Sequence, residues 1–452
     1  MARAGAGSIA SGLLALAATK VMAVMLGAPA VAIFETLQQI RQIALLAATA
    51  NGQTALLLGA SSLRGVERRE YLRSVLCLFA LALGLVATFM CIWRERIGRA
   101  AGLAPGSGAL VAILAIGVAC SSSFVFAGAL LNAAGKIGRL AILQVLATAT
   151  IAAGAGPAVL ATRRGFAAAF AVLLVISGVA PAVAAWRMLR GDLWFAGTGR
   201  WLTARAVKHF FSVSGVMLTT GLISSLVLLA VRARITHQAG LAATGLFDAA
   251  WAISMGQTGL MLAALQTGYL PQLARAGSVE QRSRCIATVF RVAILVAAPV
   301  IAGLIVFRAM ALGILYATAF RAASTVLRWT LVGDYFKITA WVLAMPMLAR
   351  ADMWMLLATD ALVQAVFFGA SGMLSWRRQT GAAQSAAIGF ALSYAVCLGL
   401  GWWYAVRRHG FRMTRRLGAL WIAGFTMVAL AAGSTWRDES VSLPELLARI
   451  GH

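Results

Sequence analysis

The 452-residue chain is predicted to be an all-α polytopic membrane protein: two six-helix lobes, twelve spans, with room for a thirteenth. Three observations predict it. The chain is 61% hydrophobic and 12% charged, whereas soluble domains hold about 45–50% apolar and ~25% charged residues. Its apolar runs are Ala/Leu/Val-rich and reach the ~20 residues a spanning helix needs, which favours helices over a barrel of short alternating strands. A repeat at a spacing of 213 residues divides the chain in two.

Taken in order, the apolar runs place spans near 8–26, 30–62, 73–93, 107–132, 138–161, 165–187, 211–231, 241–273, 287–307, 327–349, 351–375 and 384–406, with a thirteenth at 417–434. The first run has Arg3 before it, as a signal peptide would, but Lys20 interrupts its apolar stretch and favours an uncleaved helix. The lobes run 1–205 and 206–410, and 411–452 holds the extra span and a tail, “WRDESVSLPELLARIGH”, that reads as a short surface helix. No connection is long enough for a catalytic domain. The largest is about 188–210.

The net charge of +26 does not mark a nucleic-acid binder. The arginines are dispersed in short clusters between apolar runs, where they set topology. With the N-terminus in the cytoplasm, the inside connections hold the richer clusters, among them Arg64, Arg68, Arg69 and Arg73, and Arg407, Arg408, Arg412, Arg415 and Arg416. Five cysteines lie singly and four histidines are scattered, so neither a disulfide framework nor a metal site is expected. No cofactor is expected either.

In the repeat, “GAPAVAIFETLQQI” meets “GLAATGLFDAAWAI”: Gly27 falls on Gly240, Phe34 on Phe247, Glu35 on Asp248 and Ile40 on Ile253. Gln53 then falls on Gln266, Thr54 on Thr267 and Glu67 on Glu280, and 11 of 43 ungapped positions are identical. Six spans separate the copies, so both enter the membrane from the same side. Parallel repeats of this kind place a substrate site near mid-membrane at the lobe interface. A duplication kept only for packing would not need to share a carboxylate and an amide.

The stretch “VAIFETLQQIRQ” (31–42) carries a polar row into the second span. At about 100° per residue, Glu35, Gln38, Gln39 and Gln42 share one helix face. Thr49 and Gln53 continue the stripe and Arg41 flanks it. The second copy reads Asp248, Met255, Gly259 and Gln266, with Trp251 at its edge, a greasier and more aromatic wall. Ionisable groups in a membrane are costly, face a bundle interior or wet cavity, and are functional candidates by default. Lys20, Glu35, Arg41, Asp248 and Asp360 lie deep in their spans and read as functional groups or structural ion pairs. Asp334 and Lys337, spaced i, i+3, suggest a local ion pair. Asp334, Arg350 and Asp352 lie near span ends, where snorkelling is an equal reading. Arg291 opens the ninth span, and Arg232 and Arg234 end the seventh as interfacial groups. Cations in the cavity suit an anionic substrate, arginine in fork geometry and lysine as a point charge. The acids either neutralise those cations or carry a coupling proton or sodium ion. Glu35, Asp248 and Asp360 are the candidates.

“RITHQAGLAATGLFDAAWAIS”, “TGYLPQLARAGS” and “VGDYFKITAWVLAMPMLARADMWMLLATDALVQAVF” resemble stretches of the Wzx-type flippases for O-antigen and enterobacterial-common-antigen repeat units. These form the polysaccharide-transporter branch of the superfamily that includes the multidrug and toxin extruders. The resemblance runs from about residue 10 to 408. It implies a V-shaped MATE-like bundle in the bacterial inner membrane. It also implies transfer of an undecaprenyl-pyrophosphate-linked oligosaccharide to the outer leaflet. Two departures stand out: Leu246-Phe247-Asp248 where relatives often have Tyr-Trp-Gln, and the extra apolar segment after Arg416.

On this reading Lys20, Arg41, Arg291 and Lys337 attract the pyrophosphate. The glycan lies beside Gln38, Gln39, Gln42 and Gln53, with Glu35, Asp248 and Gln266 completing the cavity, and the polyprenyl tail stays in lipid. The partners are the lipid-linked glycan, membrane lipid and other glycan-assembly proteins, with no nucleic acid. Rival readings are a cation-coupled drug exporter of the same fold, a membrane enzyme of glycan assembly and a non-transporting scaffold. An enzyme is disfavoured, since no phosphate-cradling glycine motif, H-E-x-x-H or Ser/His/Asp arrangement stands out.

Overall fold

The computed structural model describes residues 2–164, 168–189, 200–276, 278–349, 352–376 and 381–434, and every regular element among them is helical. The chain divides into two compact units, Met1–Ala233 and Arg234–His452. The first holds α1 (Ala2–Leu26), α2 (Ala28–Ala48), α3 (Gln53–Ser62), α4 (Gly65–Ile92), α5 (Arg94–Ala100), α6 (Gly108–Ala133), α7 (Ile137–Arg163), α8 (Ala169–Leu189) and the first part of α9 (Ala204–Arg275). The second holds the rest of α9, then α10 (Val279–Val306), α11 (Arg308–Leu315), a 3-10 turn (Thr318–Ala323), α12 (Ser324–Ala349), α13 (Met353–Trp376), α14 (Ala382–His409) and α15 (Arg415–Ser434).

Eleven helices among the described residues are long and apolar enough to cross a membrane. One of them, Ser214–Leu265, has 52 residues. At about 1.5 Å per residue it would run roughly 78 Å, more than twice a ~30 Å hydrocarbon core, which is length enough for two crossings. It leaves helical geometry at Gly240 (φ 82°, ψ 172°), a left-handed φ that favours glycine. Each of the thirteen predicted runs overlaps a helix, α15 included.

Two differences matter for the site. The sequence ends its seventh span at 231, whereas α9 continues helically through Arg232 and Arg234 as far as Gly240. The second run, read as one helix over 30–62, is broken: α2 stops at Ala48, and Ala50 and Asn51 take left-handed backbone (φ 47° and 46°) before α3 begins. The Asn51 amide donates to the Met217 carbonyl on α9 at 2.7 Å. The Phe210 ring occupies the space a side chain on Gly52 would need. The broken turn is thus latched from α9 by one hydrogen bond and one ring.

In the first unit, Leu56, Tyr71, Phe79, Phe126 and Phe210 form a core shared by α3, α4, α6 and α9. Tyr71 donates its hydroxyl to the Ala55 carbonyl. Helices α6 and α8 approach closely over Gly117, Ser121 and Gly178, the small-residue packing expected where lipid gives no hydrophobic drive between helices. In the second unit, α12 packs on α14, α10 and α13. Gly333 makes room for Phe390, and Gly401 for Leu343. Helix α15 seats Gly424 against Tyr335, Ile294 and Ala298, and the Tyr335 hydroxyl donates to the Trp421 carbonyl at 2.8 Å.

Candidate functional site

The polar row of the second span builds a cluster in the first unit. Arg232, 5% exposed at its side chain, lies 3.9 Å from the Glu35 carboxylate. It donates to Gln39 Oε1 at 3.2 Å, and the Gln39 amide donates in turn to the Ser225 carbonyl. Glu35 and Gln39, one turn apart on α2, thus grip α9 through a single guanidinium. That pairing lets α9 stay helical through Arg232, where the sequence suggests an interfacial end.

Arg41 points to a different neighbour. Its Nη1 donates to the Leu174 carbonyl at 3.1 Å and to Ser177 Oγ at 3.2 Å on α8. Both partners are neutral. Among the described residues no carboxylate pairs with Arg41. The same device recurs in the second unit, where Arg234 Nη1 donates to the Phe368 carbonyl and to Ser371 Oγ, with the guanidinium 4.2 Å over the Phe368 ring.

The second unit carries its own cluster. Asp334, wholly buried on α12, accepts at Oδ2 from Ser254 Oγ (2.7 Å) and Gln257 Nε2 (2.9 Å), both on α9. Lys337, one turn further along α12, places Nζ 3.1 Å from Met255 Sδ and over the rings of Phe390 (5.7 Å) and Tyr394 (5.4 Å). The repeat gives these contacts a common origin. Its offset puts Trp251, Ser254 and Met255 on the positions of Gln38, Arg41 and Gln42. Both units keep the carboxylate on this face, Glu35 and Asp248, but where the first adds Arg41 the second has Ser254, and α12 supplies the cation Lys337.

Several sequence expectations change here. Asp334 and Lys337 attract one another across space rather than in a contact pair: α9 engages Asp334 Oδ2, and the ammonium turns to sulfur and rings. Asp334 does not snorkel, and Asp352 caps α13, accepting from the Met355 N–H (3.4 Å) and the Tyr404 hydroxyl (3.1 Å). Lys20 is exposed on α1. Arg291 is exposed on α10 beside Val292, Leu295 and Val296. Thr49 is buried and bonded to its own helix, so the stripe stops at the break. Beyond it Gln53 is exposed, as is Gln42 before it, while Gln38 is half-buried. Asp248 is buried one turn before Trp251. Asp360 is half-buried on α13, within electrostatic reach of Tyr394. The Gln266 side chain and Arg350 lie outside the described residues.

A cavity of about 630 Å³ opens where α4 and α9 begin, lined by Glu67, Glu70, Arg205, Lys208 and His209 among others. None of the predicted site residues lines it, and the exposed Arg205–Glu67 pair at 3.3 Å spans its charged wall. Sequence reasoning read Arg232 as an interfacial group and missed Ser177, Ser254 and Gln257. The available signal was a serine or amide placed singly in an otherwise apolar run.

No family model and no curated protein matches the chain. Solved structures do. The lipid II flippase MurJ in an inward-closed conformation superposes with a TM-score of 0.75 at 14% identity, over 100% of this chain and 96% of that one. A multidrug-resistance MATE transporter of the MOP superfamily matches in its inward-facing conformation (TM-score 0.70, 14% identity, 92% of this chain and 94% of that one). An outward-facing MATE structure matches at 0.64 and 16%, over 92% and 93%. The chain shares the all-helical, multi-pass fold of these structures, and the neighbours carrying it are a flippase and transporters, not enzymes.

Proposed function

We propose that the chain is an alternating-access flippase carrying an undecaprenyl-pyrophosphate-linked oligosaccharide from the inner to the outer leaflet of the bacterial cytoplasmic membrane, with its N-terminus inside. The observation that carries the proposal is Arg41. It is a guanidinium within a membrane span, fixed by two neutral oxygens through Nη1 alone, with no carboxylate among its described partners. Glu35, the acid nearest in sequence, is engaged by Arg232. A charge held inside a membrane protein without a counter-ion is expensive unless another charge joins it. A pyrophosphate of about two negative charges meets that need, and the remaining N–H groups of Arg41 suit the fork geometry of phosphate oxygens. Gln38 and the exposed Gln42 offer amides to a glycan on the same helix. The likeness to a lipid II flippase supports a lipid-linked cargo. Glu35, Asp248 and Asp360 are our candidates for exchanging a coupling proton or sodium ion.

The test is reconstituted flipping of the lipid-linked glycan. Arg41→Ala is expected to lose flipping while keeping the wild-type elution profile and melting temperature, and Arg41→Lys to keep part of it. Wild-type flipping by Arg41→Ala would overturn the proposal. One observation favours the rival, a cation-coupled exporter: the buried carboxylates Asp248 and Asp334 of the second unit. Uptake of a cationic dye into vesicles, measured beside flipping of the lipid-linked sugar, separates the two.

A further inference from the structure

We propose that Lys337 is a specificity-determining residue: its ammonium fills an aromatic, sulfur-lined cage in the second unit that otherwise accepts an organic cation, and it thereby closes the protein to cationic cargo.

The surroundings of Lys337 point to this role. An ammonium ordinarily donates up to three hydrogen bonds to oxygen. The described contacts of this one are a thioether and two ring faces, with Met255 Sδ at 3.1 Å and the centroids of Phe390 and Tyr394 at 5.7 and 5.4 Å, and the Asp334 carboxylate acts on it electrostatically from one turn away. Ring faces within about 6 Å of a cation attract it through their quadrupole, and such cages are a recurrent way of recognising quaternary ammonium groups.

The walls do not depend on the lysine. Phe390 meets Trp251 edge-on at 5.0 Å, Tyr394 at 4.9 Å and Phe367 at 6.1 Å, and Trp251 stacks on Phe367 at 6.0 Å. Helices α9, α13 and α14 therefore hold the rings in place around whatever α12 inserts. The electrostatic setting favours a cation as well, since Tyr394 lies within reach of both Asp334 and Asp360. Met255, Lys337 and Tyr394 are each partly exposed, so one side of the cage is open. A tethered ammonium competes at an effective concentration on the order of millimolar or above, more than a weakly bound cation can match.

The inference rests on the reading of an anionic cargo for its purpose alone. Its test measures binding and not transport, so the two fail separately. Purified full-length protein is titrated calorimetrically with choline and with choline's uncharged carbon isostere. The wild type is expected to bind neither. Lys337→Ala removes a volume close to that of a small quaternary ammonium group and is expected to bind choline at least about tenfold more tightly than the wild type, but not the isostere. Lys337→Gln, of milder shape change, is the companion should the alanine variant misfold. Lys337→Arg stays closed, and adding Phe390→Leu to Lys337→Ala abolishes the gain. Choline binding by the wild type as tight as by the variants, no gain in either folded variant, or a gain unaffected by Phe390→Leu would each overturn the proposal.

Discussion

An arginine within a membrane span is defined by what its guanidinium touches, and the first unit holds two of opposite kind. Among the described residues Arg232 is paired with a carboxylate and Arg41 is held by neutral oxygens. Breaking a buried ion pair by removing one partner leaves the other charge uncompensated, at a cost of about 3 kcal/mol or more. Glu35→Gln is accordingly expected to lower the thermal midpoint in detergent. The double variant Glu35→Met/Arg232→Met recovers most of the loss, because both charges go together. A Glu35→Gln protein that melts with the wild type would show that the pair does not hold α2 to α9. Glu35 and Arg41 were legible in the sequence, since a carboxylate and a guanidinium stand out in an apolar run. Their partners were not, because Arg232 lies 197 residues from Glu35 and Ser177 lies 136 residues from Arg41. Separations of that size are fixed by packing and leave no local pattern.

At the scale of elements, apolar runs were enough to place every long helix, because each of these helices buries or exposes hydrocarbon over about 20 residues. Interruptions shorter than a turn escaped. The Asn51-Gly52 pair is a turn dipeptide, yet it sits inside a run whose hydropathy hardly dips, and the helix stops there. Ala50 holds a left-handed φ of 47° at a steric cost of about 1–2 kcal/mol. Ala50→Gly is expected to stabilise by about 1 kcal/mol, the lost strain being partly offset by a looser unfolded chain. Gly52→Ala destabilises, because its methyl group enters the Phe210 ring. Paired thermal melts read both signs, and a stabilised Gly52→Ala would remove Phe210 as the latch. Helix α15 offers a parallel case. In Gly424→Leu the new Cβ would stand 2.7 Å from the Tyr335 hydroxyl and 3.0 Å from Ile294, and the rest of the side chain has no room beyond them. Faster proteolysis after Arg416 is the expected result, and unchanged cleavage would place the hold of α15 elsewhere.

For the molecule as a whole, the arginine-rich connections predict an orientation that labelling can check. In a cysteine-free background, Val66→Cys, exposed in the first turn of α4, is expected to resist an impermeant maleimide in intact spheroplasts and to react once they are lysed. Pro105→Cys, exposed between α5 and α6, is expected to react in both. The opposite pattern would invert the topology. A different consequence belongs to α12. Its span, Thr318–Leu348, is both the least apolar of the eleven (mean hydropathy 1.2) and the most buried, at 72% of its most apolar stretch. Arg328, Asp334 and Lys337 each burden it by about 2.5–3.5 kcal/mol were they to meet lipid near its centre. A nascent chain that has just emerged as far as α12 therefore has little reason to release that helix from the translocon sideways into the bilayer. It must wait for α13 and α14 to be synthesised and to enclose it. Biogenesis of the second unit is thus ordered by the ribosome, and damage to α14 should surface as failed insertion and quality-control degradation before any defect in transport can be seen.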